Sequence, residues 1–182
     1  MNLRWSYKNE ASAVRSYIRK GTPTPLAKCI YASRLLGARK ELVLHGGGNT
    51  SVKTKVRNLL GQPTNGLFVK GSGQNLADIN VDGFTALDLD SLKKLETLNS
   101  LDDDQILTAF TQAKLDLRSP APSVETLIHA FLPAPYIFHT HADSVLAVTN
   151  QINGKILASK VFGKDAIVLP YAISGFTLAK KA

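Results

Sequence analysis

The 182-residue sequence is poor in cysteine, in aromatic side chains and in long hydrophobic runs. Its one cysteine, Cys29, excludes an internal disulfide, and its place in the apolar stretch LAKCIYASRLL predicts a core thiol. No run approaches the roughly 18 uncharged apolar residues that a membrane helix requires. The N-terminal MNLRWSYKNE is charged from its start and has no apolar signal segment. We therefore expect a cytoplasmic protein with no membrane partner.

Acidic residues are scarce in the first 70 residues, where only Glu10 and Glu41 oppose 13 of the 22 lysines and arginines. The net charge of +8 is thus concentrated in this part of the chain, along predicted helices and loops without interleaved aromatics. This pattern favours a solvated surface, which would also attract anionic substrates, and we expect no nucleic-acid partner. A nucleic-acid binder stays as a third hypothesis, which an absence of salt-dependent DNA or RNA binding would remove.

Hydrophobic periodicity and turn residues predict a mixture of helices and strands. Helices are predicted at 8–20, 25–37, from 91, 105–114, 124–132 and 143–150, and at the end of the chain. Strands are predicted at 42–44, 52–56 (as an edge strand), 67–69, 136–141 and 167–170, with a turn at 61–66. The acidic run Asp102-Asp103-Asp104 is better explained as a capped helix start than as metal ligands. The mixture indicates one α/β or α+β domain over residues 1–182, with a central sheet.

The stretch from Ala121 to Asp143 places a carboxylate, Glu125, and two imidazoles, His139 and His141, within 23 residues. Alternate residues of a strand share a face, which would put the two histidines roughly 6.5 Å apart along the chain, close enough to share a metal ion. A helix with Ser123 as N-cap would hold Glu125 in its first turn, ahead of a turn leading back to the histidines. Simpler explanations stay open. Histidines on an exposed strand face are common, and an acidic residue in the first turn of a helix suits the helix dipole. His129 lies one helical turn after Glu125, so a side-chain pair between these two residues is a further explanation.

Two predicted strands each end in a turn of small, donor-rich residues. The first turn reads His45-Gly46-Gly47-Gly48-Asn49-Thr50-Ser51, and the second reads Lys70-Gly71-Ser72-Gly73. Glycine frees the backbone dihedral angles, and exposed amides in such turns can bind an anion. The glycine spacing matches neither the Walker pattern nor the dinucleotide fingerprint, and a plain structural turn is the alternative explanation for each.

Taken together, the two turns, Pro122–Glu125 and His139–His141 resemble the class II aldolase/adducin family in order, spacing and context, from about residue 25 onward. The phrases LHGGGNTS, VKGSG and APSVETLIHAFLP are most similar to the aldolase half of bifunctional aldolase/short-chain dehydrogenase proteins of the rhamnulose-1-phosphate aldolase kind. The resemblance implies an α/β fold with a central mixed or antiparallel β-sheet flanked by helices.

The resemblance also implies a Zn²⁺-dependent lyase that cleaves or condenses a phosphorylated ketose such as rhamnulose or fuculose 1-phosphate. The family's catalytic acid/base maps onto Glu125, and two of its zinc ligands map onto His139 and His141. The residues that would bind the substrate phosphate are Gly48, Asn49, Ser72, Gly73 and Ser123. Amides and hydroxyls of two neutral turns would suffice to hold the phosphate, and burial would need to raise the pKa of Glu125.

The sequence departs from the family pattern at its third zinc-binding histidine, which would lie downstream of a stretch like Tyr171 to Leu178, beyond Ala182. We therefore expect a domain without its C-terminal strand and helices, whose metal site has reduced affinity and is completed by Glu125 or water. The alternatives are a non-catalytic adducin-like binding or assembly module and a family epimerase or dehydratase acting on sugar phosphates. Because family members are commonly tetramers, the resemblance also implies a homo-oligomer.

Overall fold

A computed structural model describes residues 5–58 and 60–182 as an α/β fold, which confirms the predicted class. Four strands form one antiparallel sheet in the order β3-β2-β1-β4. The strands are β1 (Asn49–Arg57), β2 (Pro63–Lys70), β3 (Phe84–Asp88) and β4 (Tyr136–His139). The α-helices that flank the sheet are α1 (Tyr7–Ile18), α2 (Thr24–Gly37), α3 (Leu89–Lys94), α4 (Asp103–Ala113), α5 (Thr126–Phe131), α6 (Asp143–Thr149), α7 (Gly154–Phe162) and α8 (Phe176–Lys181).

The sheet is covered on both faces because its strands alternate between two hydrophobic clusters. Leu67 and Val69 of β2 lie in a cluster with residues of α3, α4, α5 and α8. Phe68, between them, packs against the other cluster, which includes Val52 of β1 and Ile30 of α2. Helices on both sides therefore hold β1 and β2 at the centre of the fold.

The strand predicted at 52–56 is an edge strand only in part, because β1 pairs with β2 from Ser51 to Arg57 but with β4 only over 49–52, so its second half has a partner on one side. Alternating lysines suggested an exposed edge, but the Lys53 ammonium group donates to the carbonyl oxygens of Leu132 and Ala134. The turn predicted at 61–66 is also too long. It closes at Gln62, whose carbonyl oxygen accepts from the Asn58 amide at 2.9 Å, and β2 begins at the next residue.

The strands predicted at 42–44 and 167–170 are absent from the described part of the chain, since both segments are irregular. Val43 nevertheless lies in the core, which accounts for the apolar pattern. The carbonyl oxygen of Leu42 accepts a hydrogen bond from the His141 amide at 2.8 Å, so this segment supports the chain that follows β4. Helix α7 was not predicted from the sequence.

Two local predictions are confirmed. Asp102 caps α4 in a capping box, in which its carboxylate accepts from the Gln105 amide at 2.8 Å and the Gln105 side chain accepts from the Asp102 amide at 3.0 Å. Cys29 is fully buried, and burial raises the pKa of its thiol to about 12. Within residues 5–58 and 60–182, no helix is long and apolar enough to cross a membrane.

Candidate functional site

The first glycine turn lies against the two histidines because of the pairing between β1 and β4. Asn49, the first residue of β1, is opposite His139, the last residue of β4. A Cβ atom on Gly47 would lie 3.3 Å from His141 Nδ1, and one on Gly48, where φ is +68°, would lie 2.9 Å from the His139 carbonyl oxygen. Only glycine permits this backbone to approach so closely.

The His139 and His141 rings lie together, with 4.8 Å between their centroids. The strand predicted to reach His141 ends at His139, because the amide of His141 turns away to bond the Leu42 carbonyl oxygen. The expected proximity of the two imidazoles is therefore present, although only one of them lies in the strand.

The second turn brings Glu125 to the same place. Gly71 forms an antiparallel bridge with Pro122, and the Ser72 amide donates to the Ala121 carbonyl oxygen at 2.8 Å. Because this segment is paired with the turn, the helix expected from residue 124 begins only at Thr126. Ser123 is therefore not its N-cap, and Glu125 occupies the cap position rather than the first turn.

These segments enclose a cavity of about 170 Å³. Its lining comprises the two turns, Glu125 with its neighbours and the histidine pair, namely Gly46, Gly47, Gly48, Lys70, Ser72, Gly73, Ser123, Val124, Glu125, His139 and His141. The turns touch each other, since a Cβ on Gly46 would lie 3.4 Å from Gly73 Cα. Asn49 is next to this lining and 1% exposed. The structure thus brings the predicted site residues to one place.

Asn49 is the unusual polar residue of the site. Its side-chain amide is buried, and neither Nδ2 nor Oδ1 makes a hydrogen bond of good geometry with the described residues, although the side chain lies close enough to Glu125 to help lower the pKa of that carboxyl. A buried amide without a partner costs free energy, so such groups in native proteins call for an explanation. A ligand that accepts from Nδ2 would supply one.

Ser123 and Glu125 form a local pair. The Ser123 hydroxyl donates to Glu125 Oε2, and the Glu125 amide donates back to Ser123 Oγ at 3.3 Å. Burial raises the pKa of Glu125, but the Ser123 hydroxyl, its own backbone amide and the nearby His139 outweigh burial, so the pKa lies below its ordinary value. The expectation that burial raises this pKa is therefore wrong, and the carboxylate is ionised at neutral pH.

The histidine pair has the chemistry of a partial metal site. Burial and the neighbouring His141 lower the pKa of His139, which keeps this imidazole neutral and able to bind a metal ion at neutral pH. Across residues 5–58 and 60–182, however, no group of three His, Cys, Asp or Glu side chains is arranged to hold a metal ion. The two imidazoles fit zinc as two of its usual three protein ligands.

His129 lies beneath the site and does not form the predicted side-chain pair with Glu125. Its Nδ1 instead shares a hydrogen bond of 2.7 Å with Ser51 Oγ, and its Nε2 has no partner among the described residues. Burial, chiefly, lowers the pKa of His129 to about 4. This imidazole is therefore neutral and belongs to the packed layer that supports the cavity.

Lys70 is the site residue that sequence reasoning missed. Its side chain is 2% exposed and lines the cavity, so the two turns are not the neutral pair expected from their amides and hydroxyls. Burial lowers the pKa of Lys70, while the charge of Glu125 opposes that shift. The available signal was a lysine that ends the apolar strand sequence LFVK directly before Gly-Ser-Gly.

A second cavity, of about 670 Å³, opens beside the same wall of Glu125, His139 and His141. Its other lining is mostly apolar and includes Ile128, Leu132, Phe138, Leu169 and Leu178. The three residues with candidate chemistry thus lie between a small polar cavity and a larger apolar one.

Comparison with known proteins identifies the family of this chain. The sequence profile of the class II aldolase and adducin N-terminal domain matches residues 27–181. The solved N-terminal class II aldolase domain of a conserved protein from Thermoplasma acidophilum is 40% identical, with a TM-score of 0.79 over 84% of this chain and 71% of that one. The uncharacterized oxidoreductase YuxG of Bacillus subtilis (strain 168) is 35% identical over 158 residues, which are 87% of this chain but only 23% of YuxG. The chain therefore belongs to the class II aldolase and adducin N-terminal domain family.

Proposed function

We propose that this chain is the aldolase domain of a zinc-dependent lyase that cleaves or condenses a phosphorylated ketose, such as rhamnulose or fuculose 1-phosphate. The observation that carries the proposal is the shared cavity of about 170 Å³, which is lined by Glu125, the histidine pair and the two glycine turns. Donors suited to a phosphate and groups suited to carbon–carbon chemistry thus line the same small cavity.

In this proposal, the phosphate occupies the end of the cavity formed by Gly48, Ser72 and Gly73, with Asn49 beside it. Exposed amides in such turns bind anions, and the unpartnered Asn49 amide gains a hydrogen bond when an oxygen lies next to it. Holding the phosphate there fixes the carbonyl end of the sugar relative to Glu125, which lowers the entropic part of the barrier. Ser123, whose hydroxyl is already bonded to Glu125, positions that carboxylate as well as lining the cavity.

His139 and His141 would hold the zinc ion, with a third ligand from outside the described residues. When bound, zinc supplies Lewis-acid stabilisation of the negative charge that develops next to a carbonyl. The neutral state of His139 suits it to this task, because a protonated imidazole cannot bind a metal ion.

Glu125 moves the proton. In the condensation direction, its ionised carboxylate accepts a proton from the hydroxyl-bearing carbon next to the ketone. The electron pair of that C–H bond is then shared with the carbonyl group, which gives the enediolate. That carbon then attacks the aldehyde carbon, and the aldehyde oxygen takes up a proton from the medium. Cleavage runs the same steps in reverse, breaks the bond between C3 and C4 of a 2-ketose, and returns the proton from Glu125 to C3. The apolar second cavity offers room for the aldehyde part.

We also propose that the chain corresponds to the aldolase half of a longer bifunctional aldolase/dehydrogenase protein. YuxG, which carries the name of an oxidoreductase, matches this chain over 23% of its length and is long enough to hold a second domain. A protein of that kind would supply, from the same chain or a neighbouring subunit, the third ligand that the described residues do not provide.

The test is a cleavage assay on rhamnulose and fuculose 1-phosphate with added zinc, in which dihydroxyacetone phosphate is detected by a coupled reductase. We expect weak, zinc-dependent cleavage that Glu125→Gln abolishes. Asp143→Asn, which removes an exposed acid near His141 outside the cavity, is the matched control and should keep the activity. Equal rates for the wild type and Glu125→Gln would contradict the proposal.

A second candidate function is a non-catalytic binding or assembly module of the adducin kind. It is favoured by one observation, the lack of a third metal ligand in the described part of the chain. This candidate predicts no cleavage of either sugar phosphate at any zinc concentration, with self-association unchanged in the Glu125→Gln and His139→Ala variants.

A further inference from the structure

His129 of α5 is a buried histidine whose hydrogen-bonding capacity is only half used. The side chain is 1% exposed, its Nδ1 bonds Ser51 Oγ, and its Nε2 has no partner among the described residues. A buried polar atom without a partner costs free energy, and an apolar pair of the same shape can be nearly as stable as a bonded one. Stability alone therefore does not account for this pair. A hydrogen bond differs from apolar packing in having a direction, so it can fix an orientation.

Ser33 and Thr50 form a comparable buried pair on the other face of the sheet. Their hydroxyl oxygens lie 2.8 Å apart, and the Ser33 hydroxyl donates to the Cys29 carbonyl oxygen at 2.6 Å. Successive residues of a strand point to opposite faces, so this pair joins α2 to β1, whereas His129 and Ser51 join α5 to the same strand. The two pairs are equally buried and differ in the helix that they attach.

Ser51 lies in the part of β1 that has a strand on both sides. It is opposite Val69 of β2 and Ile137 of β4, and it is 1% exposed. Two residues away along each strand, the same ladder pairs Asn49 with His139. The backbone of Ser51 is therefore held in a fixed register with the histidine pair.

His129 is bonded through its backbone to the residue that carries the candidate carboxylate. It lies one helical turn after Glu125, and its amide donates to the Glu125 carbonyl oxygen at 3.3 Å. Helix α5 has only six residues, so it has little stability of its own and takes its orientation from tertiary contacts. Within residues 5–58 and 60–182, the bond to Ser51 is the one side-chain hydrogen bond that residues 126–131 make to the sheet.

The rotation of α5 about its axis decides where Glu125 lies. The Cα atoms of an α-helix are about 2.3 Å from its axis, so a rotation of about 25° displaces them by roughly 1 Å. The bridge between Gly71 and Pro122 anchors the chain that enters α5, and the buried Leu127 and Ala130 pack the helix against the core. Apolar packing is not directional, and the bond from His129 to Ser51 supplies the missing direction.

We propose that Ser51 and His129 are a positioning pair, whose hydrogen bond sets the rotation of α5 and thereby the place of the Glu125 carboxylate relative to His139. Neither side chain acts on the substrate in this role. The consequence for catalysis rests on the proposed function, whereas the consequence for the position of Glu125 does not.

The first test compares crystal structures of the 182-residue protein and its variants. Ser51→Ala removes the bond to His129, and the Glu125 carboxylate should then move relative to the His139 ring by roughly 1 Å, a displacement that matters for a reacting group. Ser33→Ala removes the matched bond on the other face of β1 and should leave Glu125 in place. The same Glu125 position in the wild type and Ser51→Ala would overturn the proposal, and so would an equal displacement in both variants.

Substitutions of His129 separate positioning from packing. His129→Asn keeps a side-chain amide near the place of Nδ1, which can still bond Ser51 Oγ, whereas His129→Leu fills the space without a polar atom. We expect Glu125 to keep its wild-type position in His129→Asn and to move in His129→Leu. Wild-type placement in His129→Leu would show that packing alone orients α5, which contradicts the proposal. Ser51→Ala, the milder change, carries the test if His129→Leu does not fold.

The second test applies the cleavage assay on rhamnulose and fuculose 1-phosphate to the same variants. Ser51→Ala and His129→Leu should lower kcat by roughly 10- to 100-fold and leave KM within about twofold, because Glu125 is misplaced while the groups that bind the substrate stay. His129→Asn and Ser33→Ala should keep most of the wild-type kcat. A wild-type kcat in Ser51→Ala would overturn the role of the pair in catalysis.

The outcomes separate this inference from the proposed function. Displacement of Glu125 in Ser51→Ala, in a protein that cleaves neither sugar phosphate, supports the positioning pair and counts against the lyase. Cleavage by the wild type, together with an unmoved Glu125 in Ser51→Ala, overturns the positioning pair alone. The absence of both cleavage and displacement overturns both proposals.

Discussion

Asn49 lies directly opposite His139 in the ladder between β1 and β4. This backbone pairing joins the first glycine turn to His139 and His141. Sheet pairing, rather than a flexible loop, therefore fixes the distance between the candidate phosphate-binding and metal-binding residues. The buried Asn49 amide, which has no partner in the described part of the chain, is the most direct place to test this arrangement.

Replacement of Asn49 should affect ligand binding more than folding. Asn49→Ala should weaken inorganic phosphate binding by roughly 10-fold and change the free energy of unfolding by less than about 1 kcal/mol, because the lost amide makes no hydrogen bond of good geometry with the described residues and only helps to lower the pKa of Glu125. Asn49→Asp adds a negative charge of the same shape and should abolish phosphate binding. Calorimetry and urea unfolding measure the two effects, and wild-type affinity in Asn49→Ala would exclude the residue from the phosphate site.

Zinc binding should depend on the histidine pair alone. His139→Ala and His141→Ala should each lower zinc affinity by at least about 10-fold, because even the loss of a group that only orients a metal ligand has an effect of about this size. His45→Ala removes an exposed histidine that precedes the first turn and lies outside the cavity lining, and it should leave zinc affinity unchanged. Titration against a competing chelator gives the affinities, and equal loss in all three variants would point to non-specific binding.

The Ser123 hydroxyl should control the protonation of Glu125. It is the largest of the influences that lower the pKa of this carboxyl, so Ser123→Ala should move that pKa upward. The acidic limb of any pH–activity profile should then shift to higher pH. NMR titration of the Glu125 carboxyl carbon measures the change directly. Ser119→Ala, which removes a hydroxyl bonded to the Asp116 carbonyl oxygen, should leave the Glu125 titration unaltered.

Acid should destabilise the protein through His129. Its pKa is about 4 in the folded chain and 6.5 when unperturbed, so between these values the unfolded chain binds more protons. The stabilising contribution of the neutral imidazole is fully present above pH 6.5 and is lost as pH falls toward 4, by at most about 3 kcal/mol. Urea unfolding at several pH values measures this slope. The slope should decrease in His129→Asn, and an identical slope in both proteins would show that other groups cause the acid sensitivity.

The capping box of α4 should contribute to stability independently of the site. Asp102→Ala should lower the free energy of unfolding by about 1 kcal/mol, because it removes the acceptor for the Gln105 amide. Asp104→Ala removes a charge from the same helix start without removing the cap, and it should cost less. Thermal and urea unfolding compare the two variants. A larger loss in Asp104→Ala would show that charge, not capping, dominates here.

The sequence was most informative where local chemistry decides the structure. Helices α1, α2 and α4 were predicted within about two residues, which is the usual uncertainty of helix ends, because their apolar periodicity and caps are local signals. The glycine turns and the histidine pair could also be recognised in the sequence, since each is a local pattern of residue types.

Long-range pairing accounts for most of the errors. The pairing of the first half of β1 with β4 depends on partners distant in sequence, and the carbonyl oxygens to which Lys53 donates lie some 80 residues later in the chain. The start of α5 was misplaced for the same reason, since the bridge between Gly71 and Pro122 holds the preceding segment extended. The burial of Lys70 also results from tertiary packing, for which the apolar strand sequence LFVK gave only a local signal.

The buried Cys29 has a practical consequence for experiments on this site. A thiol whose pKa is near 12 is almost entirely protonated at neutral pH, and its burial keeps reagents away, so it does not compete for maleimides or methanethiosulfonates. A single cysteine introduced at Ser72, which is exposed at the mouth of the cavity, would therefore carry a fluorophore or spin label without removal of the native residue. The native sequence thus serves as its own background for site-directed labelling.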